Sequence, residues 1–343
     1  MTLLFSSLAL SVGQPTLSWN LVADLQDMLH YPFMLHTFAA GTIVAIIAGA
    51  LGYFVVLRGM AFASHTLANI GFAGAAGAAL VGVNPVFGLL AFTFVGALGM
   101  GALGRRIYGR DVAVGIVLAV ALALGLLFIN LYHGGYGINT YSILFGDVLS
   151  VSAQDVVIAL AVGALTLVAL ACVWRPLLFA SLDEEVAEAR GLPVRWLALG
   201  FLLLLGLVVA EAVQIVGVLL IFALLVTPAA IAERLTRRPG RALLLAVAIA
   251  LFVTWAGIFI AYYYPYPLGF FISTLAFALY LLARIGESGA RWLQGAHPGA
   301  PTRDGLTGAA ASPGAPANAG PAGAAHEAPA NAPAKGQLEG GVA

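Results

Sequence analysis

Long uncharged runs, closed at intervals by one or a few arginines, set the pattern of this chain. From Thr37 to Leu57 no side chain is charged, and Arg58 ends the run. From Gly59 to Gly104 there is again no Asp, Glu, Lys or Arg. A helix needs roughly 20 mostly apolar residues to cross the hydrocarbon core of a bilayer. The first run therefore predicts one crossing. The second predicts two, with Gly82-Val83-Asn84-Pro85 as the turn between them. Val112–Leu131 and Val156–Trp174 predict the next two. Trp196–Ala210 and Ala212–Ala232 are parted only by Glu211, with Gln214 nearby, and predict two helices joined by a tight turn at Glu211. Ala242–Ala283 is uncharged and is divided by Tyr262-Tyr263-Tyr264-Pro265-Tyr266-Pro267, where proline and clustered tyrosines mark a turn at the membrane surface. The pattern predicts an all-α polytopic membrane protein of about nine transmembrane helices, eight to ten.

Three regions follow. Residues 1–32 form an N-terminal segment, 33–285 the transmembrane domain, and 286–343 a cytoplasmic tail. The stretch 1–13 has neither a preceding basic region nor a small-x-small cleavage pattern, so no signal peptide is expected. Residues 17–36 mix Trp19, Leu21, Leu25, Met28, Leu29 and Phe33 with Asp24 and Asp27, the pattern of an amphipathic helix lying on the outer surface. From about Gly295 the chain turns to Ala, Gly and Pro with scattered polar residues, a composition that does not bury enough apolar surface to order itself.

Composition agrees. Of 343 residues 62% are hydrophobic and 9% charged, whereas a soluble domain carries roughly 25% charged residues. Lipid must solvate most of this surface. The formal net charge of zero gives no basic field for a nucleic-acid partner. A single cysteine, Cys172, excludes a disulfide framework and is expected to be a small buried apolar residue.

Basic residues favour the cytoplasmic side. Threading nine spans with the N-terminus outside puts every Arg and Lys inside: Arg58; Arg105, Arg106 and Arg110; Arg175, Arg190 and Arg195; Arg234, Arg237, Arg238 and Arg241; Arg284 and Arg291; Arg303 and Lys335. The outer segments then hold Asp24, Asp27, Asp147, Asp155 and Glu211 and no basic residue. The expected location is a cell membrane, with the C-terminus cytoplasmic.

Two features carry candidate chemistry. Glycine and alanine dominate Gly71–Ala79, which lets helix backbones approach closely. Just before it, His65 and Asn69 sit four residues apart on one helix face, with Ser64 and Thr66 beside them. An ionisable group inside a span marks a functional site, and imidazole is a good ligand for zinc and other transition metals. Hydrogen bonding between helices would account for the same pair. The second feature is the segment Arg175–Pro193. Ser181 is placed to cap a short helix whose first turn is acidic (Asp183, Glu184, Glu185), and Gly191 and Pro193 stop it. Such a helix is either a docking peg for a cytoplasmic partner or an ordinary solvated loop.

Over roughly residues 30–285 the chain resembles the permease subunits of metal-type (zinc, manganese, iron) ABC importers, the ABC-3 family. Arg58-Gly59-Met60-Ala61-Phe62-Ala63-Ser64-His65-Thr66-Leu67-Ala68-Asn69 matches the family's basic residue, Met-Ala and following polar motif in spacing. Leu144-Phe145-Gly146-Asp147-Val148-Leu149 resembles its Leu-Phe-Gly-x-x-Leu, and Asp183-Glu184-Glu185-x-Ala187-x-x-x-Gly191 its coupling-helix loop. Ile215–Ala230 is similar to its most characteristic span. The resemblance implies a type II ABC-importer-like permease, paired with a second copy of itself. It further implies an extracytoplasmic metal-binding protein, and a cytoplasmic ATPase docking on Asp183, Glu184, Glu185, Ala187 and Gly191. His65, Asn69 and Ser64 would line the transport pathway, with His65 the metal ligand. No permanently bound cofactor is implied, only the transported divalent ion. The chain is not expected to be an enzyme: a P-loop needs a lysine, and Lys335 in the tail is the only one.

One departure matters. Where the family has Asp and, four residues on, His, this chain has His65 and Asn69. The pair offers less charge and weaker oxygen ligation, so zinc is preferred over manganese or iron. An iron-chelate or cobalamin-type permease is the nearest alternative. A secondary transporter is disfavoured because the predicted span interiors hold no carboxylate, and a scaffold without transport leaves the coupling-like loop unexplained.

Overall fold

The computed structural model describes residues 21–103, 110–132, 146, 151–264 and 266–295; these are helices and the turns between them, with no strand among the described residues. In chain order they are α1 (Leu21–Leu29), α2 (Pro32–Leu57), α3 (Ala61–Leu80), α4 (Pro85–Leu103), α5 (Arg110–Leu131) and α6 (Ala153–Leu182). A short α7 (Glu184–Ala189) follows, then α8 (Val194–Val216), α9 (Val218–Leu235), α10 (Pro239–Tyr263) and α11 (Leu268–Gly295). Eight of them (α2, α4, α5, α6, α8, α9, α10 and α11) are long and apolar enough to cross a membrane. α3 has 20 residues. Ser64, His65, Thr66 and Asn69 lower its hydropathy, but it is enclosed on most sides by its neighbours. Together these give the multi-pass bundle that the uncharged runs predict. The chain divides into a unit of residues 1–292 and a second of 293–343, of which only the last turn of α11 is described.

Packing explains where each helix sits. α3 lies against α4 and α5, while α2 is held by α6, α9 and α10. α3 and α4 meet backbone to backbone: a Cβ on Gly74 would strike the Gly88 carbonyl oxygen, and one on Gly88 the Gly74 carbonyl oxygen. Only glycine permits that approach, and in lipid such packing replaces the hydrophobic drive available in water. At the far end of α2, Phe54 sets its ring edge-on to Trp174 of α6 at 5.1 Å and lies 6.3 Å from Phe201 of α8. The Arg58 guanidinium stands 5.4 Å over the same Phe201 ring, which fixes the turn leading into α3.

Several expectations are corrected. The division between α8 and α9 falls at Gly217 (φ 84°), not at Glu211. Glu211 lies inside α8, buried, so a span interior does hold a carboxylate. The turn at Gly217 is made through positive φ, which glycine adopts without steric cost. α6 does not stop at Trp174 but continues through Arg175 and Pro176 to Leu182; proline is tolerated where neighbours satisfy the freed backbone. Cys172 is exposed on the protomer surface rather than buried; against hydrocarbon a thiol loses nothing by facing outward. The 17–36 segment is not one helix, since α1 ends at Leu29 and Pro32 opens α2. Within α1, Asp24 is turned inward, 2% exposed and hydrogen-bonded by the Tyr263 hydroxyl, while Met28 packs with Met34 and Ile258.

The turns at Gly82–Pro85 and after Tyr263 lie where the sequence predicts them. Gly82 has φ 75°, and the Asn84 side-chain oxygen accepts from Val86 N at 2.9 Å to start α4. Trp19, Arg105, Arg106, Leu144, Phe145, Asp147, Val148, Leu149, Pro265, Arg303 and Lys335 lie outside the described residues.

Candidate functional site

α3 starts at Ala61, so His65 comes one turn in, and Asn69 stacks one further turn along the same face. The Asn69 amide nitrogen donates to the His65 carbonyl oxygen at 2.8 Å and lies 3.4 Å from His65 Nε2. Asn69 is 3% exposed, and His65 is half-buried. Nδ1 of His65 is enclosed and makes no hydrogen bond with the described residues. An enclosed, unbonded ring nitrogen costs free energy unless something else meets it. The His65 ring packs 4.8 Å, centroid to centroid, from Phe222 on α9. Phe222 is a site neighbour that the sequence did not reveal, because only the fold brings α9 against α3.

The predicted trio is thus brought together in part. His65 and Asn69 converge, but Ser64 is 1% exposed and its hydroxyl donates to Ala61 O at 2.7 Å within its own helix. Thr66 does the same to Phe62 O at 3.0 Å. The surroundings are neutral and mostly apolar. Among the described residues no three His, Cys, Asp or Glu side chains gather as a metal-binding group. What the site can offer an ion is one imidazole nitrogen and one amide oxygen in a low-dielectric wall.

The segment after α6 forms the short helix that its acids predict, with a different cap. Asp183, in extended backbone, is the N-cap: its side chain accepts from Val186 N at 3.0 Å. Ser181 belongs instead to the last turn of α6 and donates to Leu177 O at 2.6 Å. Glu184 and Glu185 occupy the first turn of α7, where the helix dipole favours them. Ala187 is fully buried with Ala180 and Val194, so it anchors α7 to the bundle. Gly191, at φ 81°, reverses the chain into α8. The outer face of this corner carries exposed Leu182, Val186 and Trp196, apolar surface at a polar end of the molecule. Of Leu144–Leu149, Gly146 alone is described; it sits at φ 76° with its backbone against Val216 and Gly217, while Ile215–Ala230 spans the turn at Gly217 and most of α9.

Residues 30–287 match the ABC 3 transport family. The manganese transport system membrane protein MntC of Halalkalibacterium halodurans is 33% identical over 265 residues, covering 77% of this chain and 90% of that protein. The chelated iron transport system membrane protein YfeC of Yersinia pestis is 32% identical over 261 residues, covering 76% and 88%. Among solved structures, PsaBC from Streptococcus pneumoniae in complex with Fab superposes with a TM-score of 0.69 at 29% identity, covering 77% of this chain and 95% of that one. The match over most of the bundle and these identities show that the chain belongs to the ABC 3 transport family as a multi-pass, metal-type permease.

Proposed function

We propose that this protein is the membrane subunit of an ATP-driven importer for a divalent transition-metal ion, with His65 and Asn69 on its pathway. The observation that carries the reading is His65: an ionisable side chain on an enclosed helix, with a ring nitrogen that nothing in the described protein bonds. Zinc fits this donor set best, since imidazole suits it and no carboxylate stands beside it. Manganese is the second reading, favoured by the name of the MntC relative.

The chain works with partners on this reading. An ATPase subunit docks at α7 through Glu184 and Glu185 and the exposed apolar corner beside them. A second copy completes the pathway, and an extracytoplasmic binding protein delivers the ion. The orientation follows the basic residues: Arg175, Arg190, Arg195, Arg234, Arg237 and Arg238 gather at one end of the helices with α7, the cytoplasmic end on the positive-inside rule.

The test is uptake by proteoliposomes holding the permease with its co-expressed ATPase. ATP-dependent accumulation of zinc is expected, with manganese competing more weakly, and His65→Ala is expected to abolish most of it. Accumulation at the wild-type rate in His65→Ala would show the imidazole to be structural. Preferential accumulation of manganese would decide for the second reading.

A further inference from the structure

The turn between α9 and α10 carries Arg234, Arg237, Arg238 and Arg241. Arg234 is already paired: its guanidinium donates to Glu287 Oε2 at 3.1 Å and to the Tyr280 hydroxyl at 3.3 Å. Two other arginines assigned to this end also rest on the protein, Arg58 over the Phe201 ring at 5.4 Å and Arg190 over Phe179 at 6.0 Å. Arg237, Arg238 and Arg241 do neither. All three are exposed, and their side chains make no hydrogen bond or ion pair with the described residues. The acids nearby are occupied or turned away. α2 and α10 hold none, Glu287 is taken by Arg234, and Glu233 places its Oε1 in an enclosed position.

The helix that follows has a matching outer face. Arg241, Leu244, Ala248, Phe252 and Trp255 are exposed and recur every three or four residues, one stripe of α10. Ala242, Ala246, Ala250 and Val253 are buried on the other side, where α10 packs on α2 and α9. From Arg241 to Phe252 is about 16 Å along the axis, close to half of a hydrocarbon core roughly 30 Å thick. A charged head and an apolar shaft one leaflet deep therefore lie in a single line. α7, the seat proposed for the ATPase, packs instead on α6 and α8.

We propose that this corner binds an anionic phospholipid of the cytoplasmic leaflet, its phosphate held by Arg237, Arg238 and Arg241 and an acyl chain lying along Leu244, Ala248 and Phe252. A guanidinium fork matches phosphate oxygens and is weakly hydrated. An anionic leaflet presents such a headgroup where the stripe begins, and basic residues at the membrane surface are drawn to it. An acidic protein surface would satisfy the arginines but not the stripe, which lies at hydrocarbon depth. The inference takes from the proposed function only the orientation of the bundle, and nothing of the metal.

The experiment uses the full-length permease with its co-expressed ATPase, purified in mild detergent and offered phosphatidylglycerol or phosphatidylcholine in mixed micelles. Native mass spectrometry counts the lipids retained. The wild-type complex is expected to prefer phosphatidylglycerol. Joint replacement Arg237→Gln, Arg238→Gln and Arg241→Gln is expected to cut that preference about tenfold or more, with the ATPase still bound. Arg190→Gln with Arg195→Gln removes two exposed charges assigned to the same end and should leave the preference intact. Equal preference in the wild type and the triple variant would overturn the site, as would an equal drop in the Arg190 and Arg195 variant. Loss of the ATPase from the triple variant with lipid retention unchanged would give the arginines to that interface instead. Displacement of the lipid by millimolar inorganic phosphate would show a site for a free anion, with no part for the stripe. Should the triple variant not fold, Arg241→Gln and Phe252→Ala are read singly; both are expected to weaken retention, the second without touching a charge. Retention is measured without transport, so a complex that keeps the phospholipid but imports neither metal would sink the importer reading and leave this one standing.

Discussion

Asn69 reaches back one helical turn to His65, its amide nitrogen 2.8 Å from the His65 carbonyl and 3.4 Å from the ring Nε2. The amide is thus tethered to the backbone of the residue it orients. With that N–H directed at Nε2, the ring proton belongs on Nδ1; with the proton on Nε2, Nδ1 presents a lone pair. An arriving ion selects the second tautomer, because only a lone pair ligates.

Asn69→Asp tests which ion the pair prefers. A carboxylate one turn from the imidazole adds the hard oxygen ligand that manganese favours. The ratio of manganese to zinc uptake is expected to rise by about tenfold or more, the effect of roughly 1.4 kcal/mol. The same ratio in both proteins would mean that residue 69 does not touch the ion.

Asp183→Ala removes the N-cap of α7. Loss of such a cap costs about 1 kcal/mol of local stability, enough to fray a helix of 6 residues. Co-purification of the ATPase is expected to fall, and Asp183→Ser is expected to restore it, since serine caps as well. Replacing Glu184 and Glu185 by lysine should weaken docking while leaving α7 folded. Undiminished ATPase capture in both variants would place the docking surface elsewhere.

Gly217→Ala puts a Cβ on backbone at φ 84°. With ψ at 163° this is extended backbone of positive φ, essentially reserved for glycine, and it costs another residue about 1–3 kcal/mol at the turn between α8 and α9. A lower thermal midpoint of the purified protein is expected. Equal midpoints would show that the turn has another conformation open to it.

Two glycines on α3 and α4 separate packing from propensity. Gly74→Val drives a side chain into the Gly88 carbonyl and the Phe92 side chain, so folded protein in the membrane should drop sharply. Gly99, also helical, has nothing within 4 Å of the position a Cβ would take. Gly99→Ala is therefore expected to fold at least as well as the parent, gaining about 0.5–1 kcal/mol of helix propensity. Fluorescence-detected size-exclusion of the two variants reads the difference; similar loss in both would argue that neither contact matters.

The spans were legible because lipid enforces a rule that sequence obeys in one dimension: apolar runs of a fixed length, ended by charge. Gly82 and Pro85 announced their turn for the same reason. Glu211 misled because a charge in a span is a stronger mark in one dimension than a glycine. The backbone follows Gly217 instead, while α8 carries the acid inward. Ser181 and Asp183 are both cap formers two residues apart, and which one caps depends on how far α6 runs. That is settled by Leu177 and Ala180 packing in the bundle, a tertiary fact. Phe222 could not be foreseen beside His65, since 157 residues separate the two positions in the chain. Nor could the pairing of Arg234 with Glu287 at 3.1 Å, which ties the end of α9 to α11.

Gly74 and Gly88 set a mechanical limit on the pathway. Backbones in contact at such range leave no room for one helix to turn or slide on the other. α3 and α4 therefore form one rigid pair of helices, with His65 fixed to it. The opposite wall is held the same way: Phe222 stands on α9, whose Leu225 carbonyl oxygen occupies the place a Cβ on Gly52 of α2 would take. The imidazole is thus clasped between two walls, each locked to a neighbouring helix by a glycine that no larger residue can replace.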